Sequence, residues 1–174
     1  IMTDIFSLEK RSDIMRRIKS KDTCPELIVR KYLFSKGFRY RLNVKRLPGK
    51  PDIVLRKYRT VIFVHGCFWH GHENCPLASH PKTHSAFWTS KIARNKERDA
   101  ATRTKLKAMG WNTLVVWECQ LRRSAERKQT LQAIVAVLDE TFLNLNGMKP
   151  AAAYQQSEKV ALVAENVSTY AKKD

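Results

Sequence analysis

Three short blocks of apolar, largely β-branched residues constrain the fold of this chain more than any other feature of its sequence. The blocks span residues 52–55, 60–65 and 111–117. They are too short for most helices and apolar on both faces, which is typical of central strands covered on both sides. Longer segments with helical periodicity lie around them, at residues 24–35, 83–109 and 124–143. This order predicts an α/β protein with a small mixed sheet between helices.

Residues 23–37 carry the start and stop signals of a helix. Thr23 and Glu26 have the spacing of a capping box, which satisfies free amides in the first turn. Gly37 lies where a left-handed residue ends a helix. The residues that follow, 38–42, alternate apolar and basic side chains and predict a half-exposed strand.

The length of 174 residues fits a single domain. We expect this domain to occupy residues 1–145, with residues 1–22 as an N-terminal arm. A basic stretch at 11–19 within the arm predicts a short amphipathic helix. The remaining residues, 146–174, form a polar, alanine-rich tail that we expect to be helical or loosely ordered.

The charge of the chain is strongly unbalanced. Lys and Arg number 33 against 16 Asp and Glu, which gives a formal net charge of +17 and a pI of about 10.1. Nucleic acid explains this imbalance better than a membrane surface or an acidic protein does. No apolar run approaches the ~20 residues of a membrane span, and the first residues lack the pattern of a secretory signal. We therefore expect a cytoplasmic protein that binds nucleic acid.

Cysteine and histidine are concentrated in the loop after the second apolar block. Cys67, His72 and Cys75 lie close together in this loop, and Cys119 follows the third block. Three thiolates and one imidazole form a tetrahedral set typical of structural zinc, and a polar loop of this kind needs something to order it. The alternative is three buried, reduced cysteines and a surface histidine. Cys24 is left over, and we expect it to pack as a small hydrophobe.

Asp52 opens the first apolar block, beside the block that ends in His65. A carboxylate at the mouth of a central strand is a common seat for a divalent cation over a phosphate. The alternative is an aspartate that only closes a turn. A Pro-Asp pair by itself does not separate these interpretations.

The helix predicted over residues 83–109 carries polar residues on its core-facing stripe. At about 100° per residue, that stripe contains Trp88, Ile92, Asn95, Asp99 and Leu106. An inward carboxylate must be paired or hydrogen-bonded, and the candidate partners for Asp99 are His65 and His70. An aspartate that orients a histidine is the usual arrangement of a catalytic imidazole. The alternative is an ion pair between Asp99 and an arginine.

Aromatic residues occur in two adjacent pairs. Phe68 and Trp69 lie in the Cys/His loop, and Phe87 and Trp88 open the helix that follows. In a chain of this charge, exposed aromatic rings indicate base stacking or wedging between base pairs. The alternative is that one ring of each pair enters the core while the other caps the metal loop.

Five stretches together resemble the very-short-patch-repair (Vsr) mismatch endonucleases. They read Leu-Pro-Gly-Lys-Pro-Asp at 47–52, Val-Ile-Phe-Val-His-Gly-Cys-Phe-Trp-His-Gly-His at 61–72, Phe-Trp-x-x-Lys-Ile at 87–92, Asn-x-x-Arg-Asp at 95–99 and Gly-Trp-x-x-Leu-Val-Val-Trp-Glu-Cys at 110–119. The resemblance covers residues 11–122. It implies a restriction-endonuclease-like α/β/α sandwich with a small mixed central sheet and a structural zinc site.

The function implied by this resemblance is DNA repair. The protein would nick one strand of duplex DNA on the 5′ side of the T in a T:G mismatch, which arises when 5-methylcytosine is deaminated. The reaction would be magnesium-dependent phosphodiester hydrolysis. The resemblance also implies a bacterial monomer, associated with the nucleoid when on DNA, that acts alongside a cytosine-5 DNA methyltransferase and a repair polymerase.

The resemblance further implies roles for individual residues. Asp52 would bind magnesium with the backbone carbonyl of Val64, and His70 would be the catalytic imidazole with Asp99 as its partner. Two further active-site positions would be His65 and Glu26. The zinc ligands would be Cys67, His72, Cys75 and Cys119. The wedge beside the mismatch would consist of Phe68, Trp69 and Trp88, with Met15 and Ile18 on an N-terminal helix that approaches the minor groove.

One departure from restriction-type folds bears on the chemistry. Those folds usually carry an acidic-x-Lys signature on the second strand, where this chain has Phe63, Val64 and His65. Lysine-assisted activation of water is therefore not available, and histidine must substitute for it.

Two other functions fit the same residues. A zinc-stabilised DNA-binding module without catalysis would keep the charge and the aromatic rings. A mismatch-independent restriction-type nuclease would cut matched duplex at a comparable rate. Divalent-dependent nicking would exclude the first, and a comparison of mismatched with matched duplex would separate the second.

Overall fold

The computed structural model describes residues 21–79 and 84–147, together with the separate positions 9, 10, 13 and 16. Met15, Ile18, most of the predicted N-terminal helix and the tail from residue 148 lie outside the described residues. In the described ranges the helices are α1 (Cys24–Ser35), α2 (Ser85–Ala108) and α3 (Ser124–Leu145), and the strands are β1 (Ile53–Leu55), β2 (Thr60–His65) and β3 (Asn112–Trp117). None of these helices is long and apolar enough to cross a membrane.

The three strands form a small mixed sheet with β2 in the middle. β1 pairs with β2 in antiparallel orientation, with Ile53 opposite Ile62. β3 pairs with β2 in parallel, with Trp117 opposite His65. Because β2 and β3 run in the same direction, the segments that follow them leave the sheet at the same edge. That edge receives both the Cys/His loop and Cys119.

Apolar side chains cover both faces of the sheet. Residues of α1 and α3 pack on one face, in a cluster that includes Val29, Leu33, Ile53, Leu55, Ile62, Leu114, Val116, Ile134 and Leu138. On the other face, Leu106 of α2 packs with Val54 and Val61. Successive strand residues point to opposite faces, so both faces being covered explains why these strands are apolar throughout. The α/β prediction with a small mixed sheet is confirmed.

The helix predicted after Thr23 is confirmed, but the strand predicted at 38–42 is wrong. The prediction that Cys24 packs as a small hydrophobe is also wrong, because this first residue of α1 is exposed. The capping box forms at the start of α1, and Gly37 has a left-handed φ of 85° after its end. In 38–42 only Arg41 makes a β-bridge, to Val54. Asn43 has a φ of 47°, and this left-handed residue turns the chain away after a single bridge.

Candidate active site

Asp52 lies just before β1, at the edge of the sheet where β2 ends. Its Oδ2 accepts a hydrogen bond of 2.8 Å from the backbone amide of Val64, because the register of the hairpin brings residue 52 beside the end of β2. Burial raises the pKa of Asp52, and the nearby Glu26 carboxylate adds to this, although the Val64 amide opposes it. A carboxylate whose charge is only partly compensated attracts a cation.

Asp52 belongs to the lining of a cleft of about 1290 Å³. The same cleft is lined by the other predicted active-site residues, Glu26, Val64, His65, His70 and Asp99. Its basic lining residues are Lys21, Lys45, Lys50, Arg98 and Arg103. Lysine and arginine side chains at a cleft of this kind can bind the phosphates of a nucleic-acid backbone, while carboxylates and imidazoles are available for chemistry.

His70 and Asp99 form a close pair between the Cys/His loop and α2. The distance from His70 Nδ1 to Asp99 Oδ2 is 2.5 Å. Burial alone would raise the pKa of Asp99, but the hydrogen bond and the charge of His70 lower it below its ordinary value. Asp99 is therefore an ionised acceptor for Nδ1–H, which leaves His70 Nε2 for a group in the cleft. Arg98, the type of partner considered as an alternative, lies farther from Asp99, at 3.7 Å.

His65, the last residue of β2, stacks on the ring of His70. Their ring centroids are 3.7 Å apart with an angle of 12° between the planes. The Trp117 ring contacts His65 edge-on at 5.3 Å. Burial lowers the pKa of His65 to about 3, and the neighbouring His70 acts in the same direction. At neutral pH His65 is thus an uncharged ring that restricts the orientation of His70.

Glu26 is buried beside the cleft, and its carboxylate oxygens are occupied by α1 and the residues before it. Oε1 accepts hydrogen bonds from the amide and hydroxyl of Thr23, at 3.4 and 2.9 Å. Oε2 accepts from the Asp22 amide at 3.0 Å and from Arg30 Nη2 at 2.6 Å. Arg30 was not predicted from the sequence, although its i,i+4 spacing from Glu26 is the usual signature of an ion pair on a helix.

The side chains of Cys67, His72, Cys75 and Cys119 come together at the same edge of the sheet. Their potential ligand atoms all lie within 4.8 Å of one another. His72 Nδ1 is 3.6 Å from Cys67 Sγ and 3.4 Å from Cys119 Sγ. A tetrahedral zinc ion with usual bond lengths would set such nitrogen–sulfur separations at about 3.5 Å. These four residues could therefore hold a zinc-like metal ion with little rearrangement.

Gly71 allows the Cys/His loop to lie directly on α2. It has a left-handed φ of 59°, and a Cβ at this position would lie 2.6 Å from Ile92 Cγ2 and 2.7 Å from Lys96 Cε. A side chain would clash there, so glycine is required for both its conformation and its size. This close approach lets the loop, which carries His70, reach the inward stripe of α2.

The groups around this metal site are held in different protonation states. Burial raises the pKa of the Cys67 thiol to about 12 and also raises that of Cys119. Burial lowers the pKa of His72, whose ring stacks on Trp117 at a centroid distance of 4.1 Å. A neutral imidazole is ready to bind a cation, whereas the thiols must first lose their protons.

The two aromatic pairs form one group of rings, the aromatic cluster, which consists of Phe68, Trp69, Phe87 and Trp88. Contacting ring centroids are 5.1 Å apart for Phe68–Trp69, 5.2 Å for Phe68–Trp88 and 6.0 Å for Trp69–Trp88. None of the four rings belongs to the buried core of the described residues, and Phe87 is 53% exposed. The cluster is therefore a surface feature that connects the loop to α2.

Asn95 and Lys91 of α2 contact the aromatic cluster. This supporting role was not predicted from the sequence for either residue. Asn95 Nδ2 donates a hydrogen bond of 2.8 Å to the Trp69 carbonyl, which explains a polar residue on the inward stripe. The Lys91 ammonium lies 5.6–5.7 Å from the centroids of Trp69, Phe87 and Trp88, within the range of a cation–π contact.

Comparison with known proteins shows relatives that cover most of this chain. The family model described as DNA mismatch endonuclease Vsr matches residues 3–76. The type II nicking enzyme V.NmeAIP of Neisseria meningitidis serogroup A is 52% identical over 134 residues, 77% of this chain and 95% of the relative. The DNA mismatch endonuclease Vsr of Escherichia coli is 42% identical over 139 residues, 80% of this chain and 87% of the relative. The chain therefore belongs to the Vsr family of DNA repair endonucleases, hydrolases that cleave DNA.

Proposed function

We propose that this protein nicks one strand of duplex DNA on the 5′ side of the T in a T:G mismatch, by magnesium-dependent hydrolysis. The observation that carries the proposal is that Asp52 and the His70–Asp99 pair line one cleft, which lysine and arginine side chains also line. The Escherichia coli relative, named a DNA mismatch endonuclease, supports the choice of substrate. The mismatch would be the deamination product of 5-methylcytosine.

Asp52 and the carbonyl of Val64 are the residues that would hold magnesium. The chemistry of this set fits the ion, because magnesium in nucleases takes one or two carboxylates and completes its shell with water and phosphate oxygens. The raised pKa of Asp52 marks a charge that a cation would stabilise. When bound, magnesium would supply Lewis-acid polarisation of the scissile phosphate.

His70 would move a proton at the scissile phosphate through Nε2. Asp99 accepts the Nδ1 hydrogen at 2.5 Å and His65 covers one face of the ring. These two contacts fix the orientation of the imidazole and leave Nε2 as the nitrogen that can exchange a proton with a group in the cleft. Its position in the cleft suits it either to take a proton from the attacking water or to give one to the leaving oxygen. Such general acid–base catalysis contributes typically ~10²–10⁴-fold in rate.

The metal-site residues Cys67, His72, Cys75 and Cys119 would hold a structural zinc ion. Their role would be to fix the loop that carries both His70 and the aromatic cluster, because Phe68 and Trp69 directly follow the first ligand. A rigid loop is needed if its aromatic side chains are to separate stacked bases, which costs a few kcal/mol per base step.

The aromatic cluster would provide the wedge that recognises the mismatch. Phe68, Trp69 and Trp88 contact one another at the surface and could stack on bases beside the T:G pair, where unstacking is least costly. We further propose that Met15 and Ile18 of the N-terminal arm insert from the minor groove.

The proposal includes the organisation of the whole chain. Residues 1–145 would form one restriction-endonuclease-like sandwich domain, with the arm at 1–22 and the tail at 146–174 outside its core. The protein would act as a monomer on DNA, in a repair sequence that a cytosine-5 methyltransferase makes necessary and a polymerase completes.

A nicking assay with three labelled duplexes tests this function. The duplexes carry T:G, T:A or C:G at the same position, and each is incubated with the protein in Mg²⁺ or in EDTA. We expect a nick on the 5′ side of the T only in the T:G duplex and only with Mg²⁺. Equal cleavage of matched duplexes would identify a mismatch-independent nuclease, and binding without cleavage would identify a DNA-binding module.

A further inference from the structure

Arg30 of α1 is a buried cation next to the proposed magnesium site. Its side chain is 6% exposed, which is rare for arginine unless it is paired. Nη2 donates to Glu26 Oε2 at 2.6 Å, and Nη1 forms an ion pair with Asp22. Nε is buried and has no hydrogen-bond partner among the described residues. Removing a guanidinium from water costs free energy, so the burial of Arg30 needs a compensating interaction.

The carboxylates around Arg30 provide this compensation. Asp22, Glu26 and Asp52 all line the active-site cleft. Glu26 acts on the Asp52 carboxylate as a like charge and Arg30 acts on it as an opposite charge. Arg30 therefore contributes a buried positive charge that offsets the Glu26 carboxylate, which would otherwise act unopposed on Asp52.

Arg30 also determines where the Glu26 carboxylate lies. Oε1 is held by Thr23, and Oε2 is held by the Asp22 amide and by Arg30. The bond to Arg30 is the shortest of these and is charge-assisted, the stronger class of hydrogen bond. Without it, Oε2 would keep only the Asp22 amide, and Glu26 could turn toward a cation at Asp52.

We propose that Arg30 is a positioning residue of the cation site: it keeps the Glu26 carboxylate in the α1 capping box and off a cation bound at Asp52. This inference rests on the proposed binding of magnesium at Asp52. With Arg30 in place, a cation meets one available carboxylate, and part of its coordination shell stays open for water and phosphate. Without Arg30 it meets two carboxylates in a more negative site.

The test combines cation binding with activity. Mn²⁺ binding to zinc-saturated, DNA-free protein is measured by electron paramagnetic resonance, and single-turnover nicking of the T:G duplex is measured against Mg²⁺ concentration. We expect Arg30→Met to bind Mn²⁺ roughly three- to tenfold more tightly, since it loses an opposing charge. Its nicking rate at saturating Mg²⁺ should fall about 10- to 100-fold because the cation is misplaced.

Four further variants separate an effect of charge from an effect on folding. Arg30→Lys keeps the charge and should keep the parent affinity for Mn²⁺. The double variant Glu26→Gln/Arg30→Met removes both charges and should return the affinity to the parent value, whereas Glu26→Gln alone should weaken it. Lys31→Met, at an exposed neighbour on the same helix, should change neither binding nor nicking.

Loss of a merely structural residue would not tighten cation binding, so the two explanations differ in sign. Unchanged or weaker Mn²⁺ binding by folded Arg30→Met overturns the inference. If Arg30→Met does not fold, equal affinity of Glu26→Gln and the double variant overturns it. A parent protein that binds Mn²⁺ no better than Asp52→Ala would overturn the proposed magnesium site as well, which distinguishes the two failures.

Discussion

Replacing Asp99 with asparagine keeps the size of the side chain and removes the charge that faces His70. The 2.5 Å contact joins side chains that are only 22% and 17% exposed, so it is a charge-assisted hydrogen bond largely shielded from water. Hydrogen bonds to charged groups contribute roughly 1.5–3 kcal/mol. At ~1.36 kcal/mol per factor of ten in rate, its loss predicts nicking slower by about 10- to 150-fold.

His70→Ala removes the imidazole itself and should cost more, typically ~10²–10⁴-fold for the loss of a general acid or base. The double variant distinguishes a working pair from two independent groups. If Asp99 acts only through His70, its charge has nothing left to orient in His70→Ala, and the double variant should be no slower than that single variant. Independent roles would instead multiply the two losses.

The assay is single-turnover nicking of a T:G duplex at saturating Mg²⁺ by the parent, both single variants and the double variant. Glu97→Gln, at an exposed carboxylate two residues before Asp99 on α2, is the matched control and should nick at the parent rate. DNA affinity, measured for each variant, should stay unchanged. Losses that multiply in the double variant would refute the assignment of His70 and Asp99 as one unit.

Three further predictions concern the metal site, the aromatic cluster and acid stability. Cys119→Ser removes one of four proposed zinc ligands, so this variant should lose zinc or unfold, whereas the control Cys24→Ser should do neither. Elemental analysis measures the zinc content and thermal melting measures the stability of each protein. A parent protein that is folded without zinc would contradict the proposed zinc site. Trp69→Ala or Trp88→Ala should reduce the preference for T:G over matched duplex more than general affinity, since stacking is worth roughly 1–3 kcal/mol per base. The control Phe34→Ala, at an exposed aromatic ring outside the cluster, should leave this preference unchanged. Equal losses of affinity for the T:G and matched duplexes in the tryptophan variants would mean that these rings have only a packing role. The pKa of Asp99 is lowered in the folded state, so the ionised Asp99 stabilises the fold fully above its unfolded pKa of about 3.9, and this stabilisation is lost as the pH falls through the folded value. The free energy of unfolding, measured with urea between pH 7 and pH 3, should therefore fall less on acidification in Asp99→Asn than in the parent. Identical pH dependence in the two proteins would exclude this linkage.

Much of the framework was predictable because its signals are local. The bounds of β2 match the second apolar block, and the capping box of Thr23 and Glu26 set the start of α1. The stripe on α2 also indicated that Asp99 faces inward, because helical periodicity depends only on spacing along the chain. Four potential metal ligands were found from residue type, and the parallel pairing of β2 with β3 brings Cys119 to the others.

The features that the sequence analysis missed depend on contacts between distant segments. The alternation at 38–42 indicated a strand, but alternation does not show whether a partner strand lies alongside, and Asn43 ends the pairing after Arg41. The stacking of His65 on His70 requires the loop to fold back over the end of β2. The burial of Arg30 requires α1 to pack against the cleft. No local pattern records these arrangements.

Asp52→Ala tests the central claim most directly, because it removes the carboxylate on which the proposed cleavage site depends while leaving the aromatic cluster and the lysine and arginine side chains of the cleft. Single-turnover nicking of the T:G duplex and equilibrium binding to the same duplex are measured side by side, with the exposed Glu97→Ala as control. We expect Asp52→Ala to lose Mg²⁺-dependent nicking and to keep its binding to mismatched DNA, and the control to retain both. Mg²⁺-dependent nicking by Asp52→Ala above a few per cent of the parent rate would contradict the account.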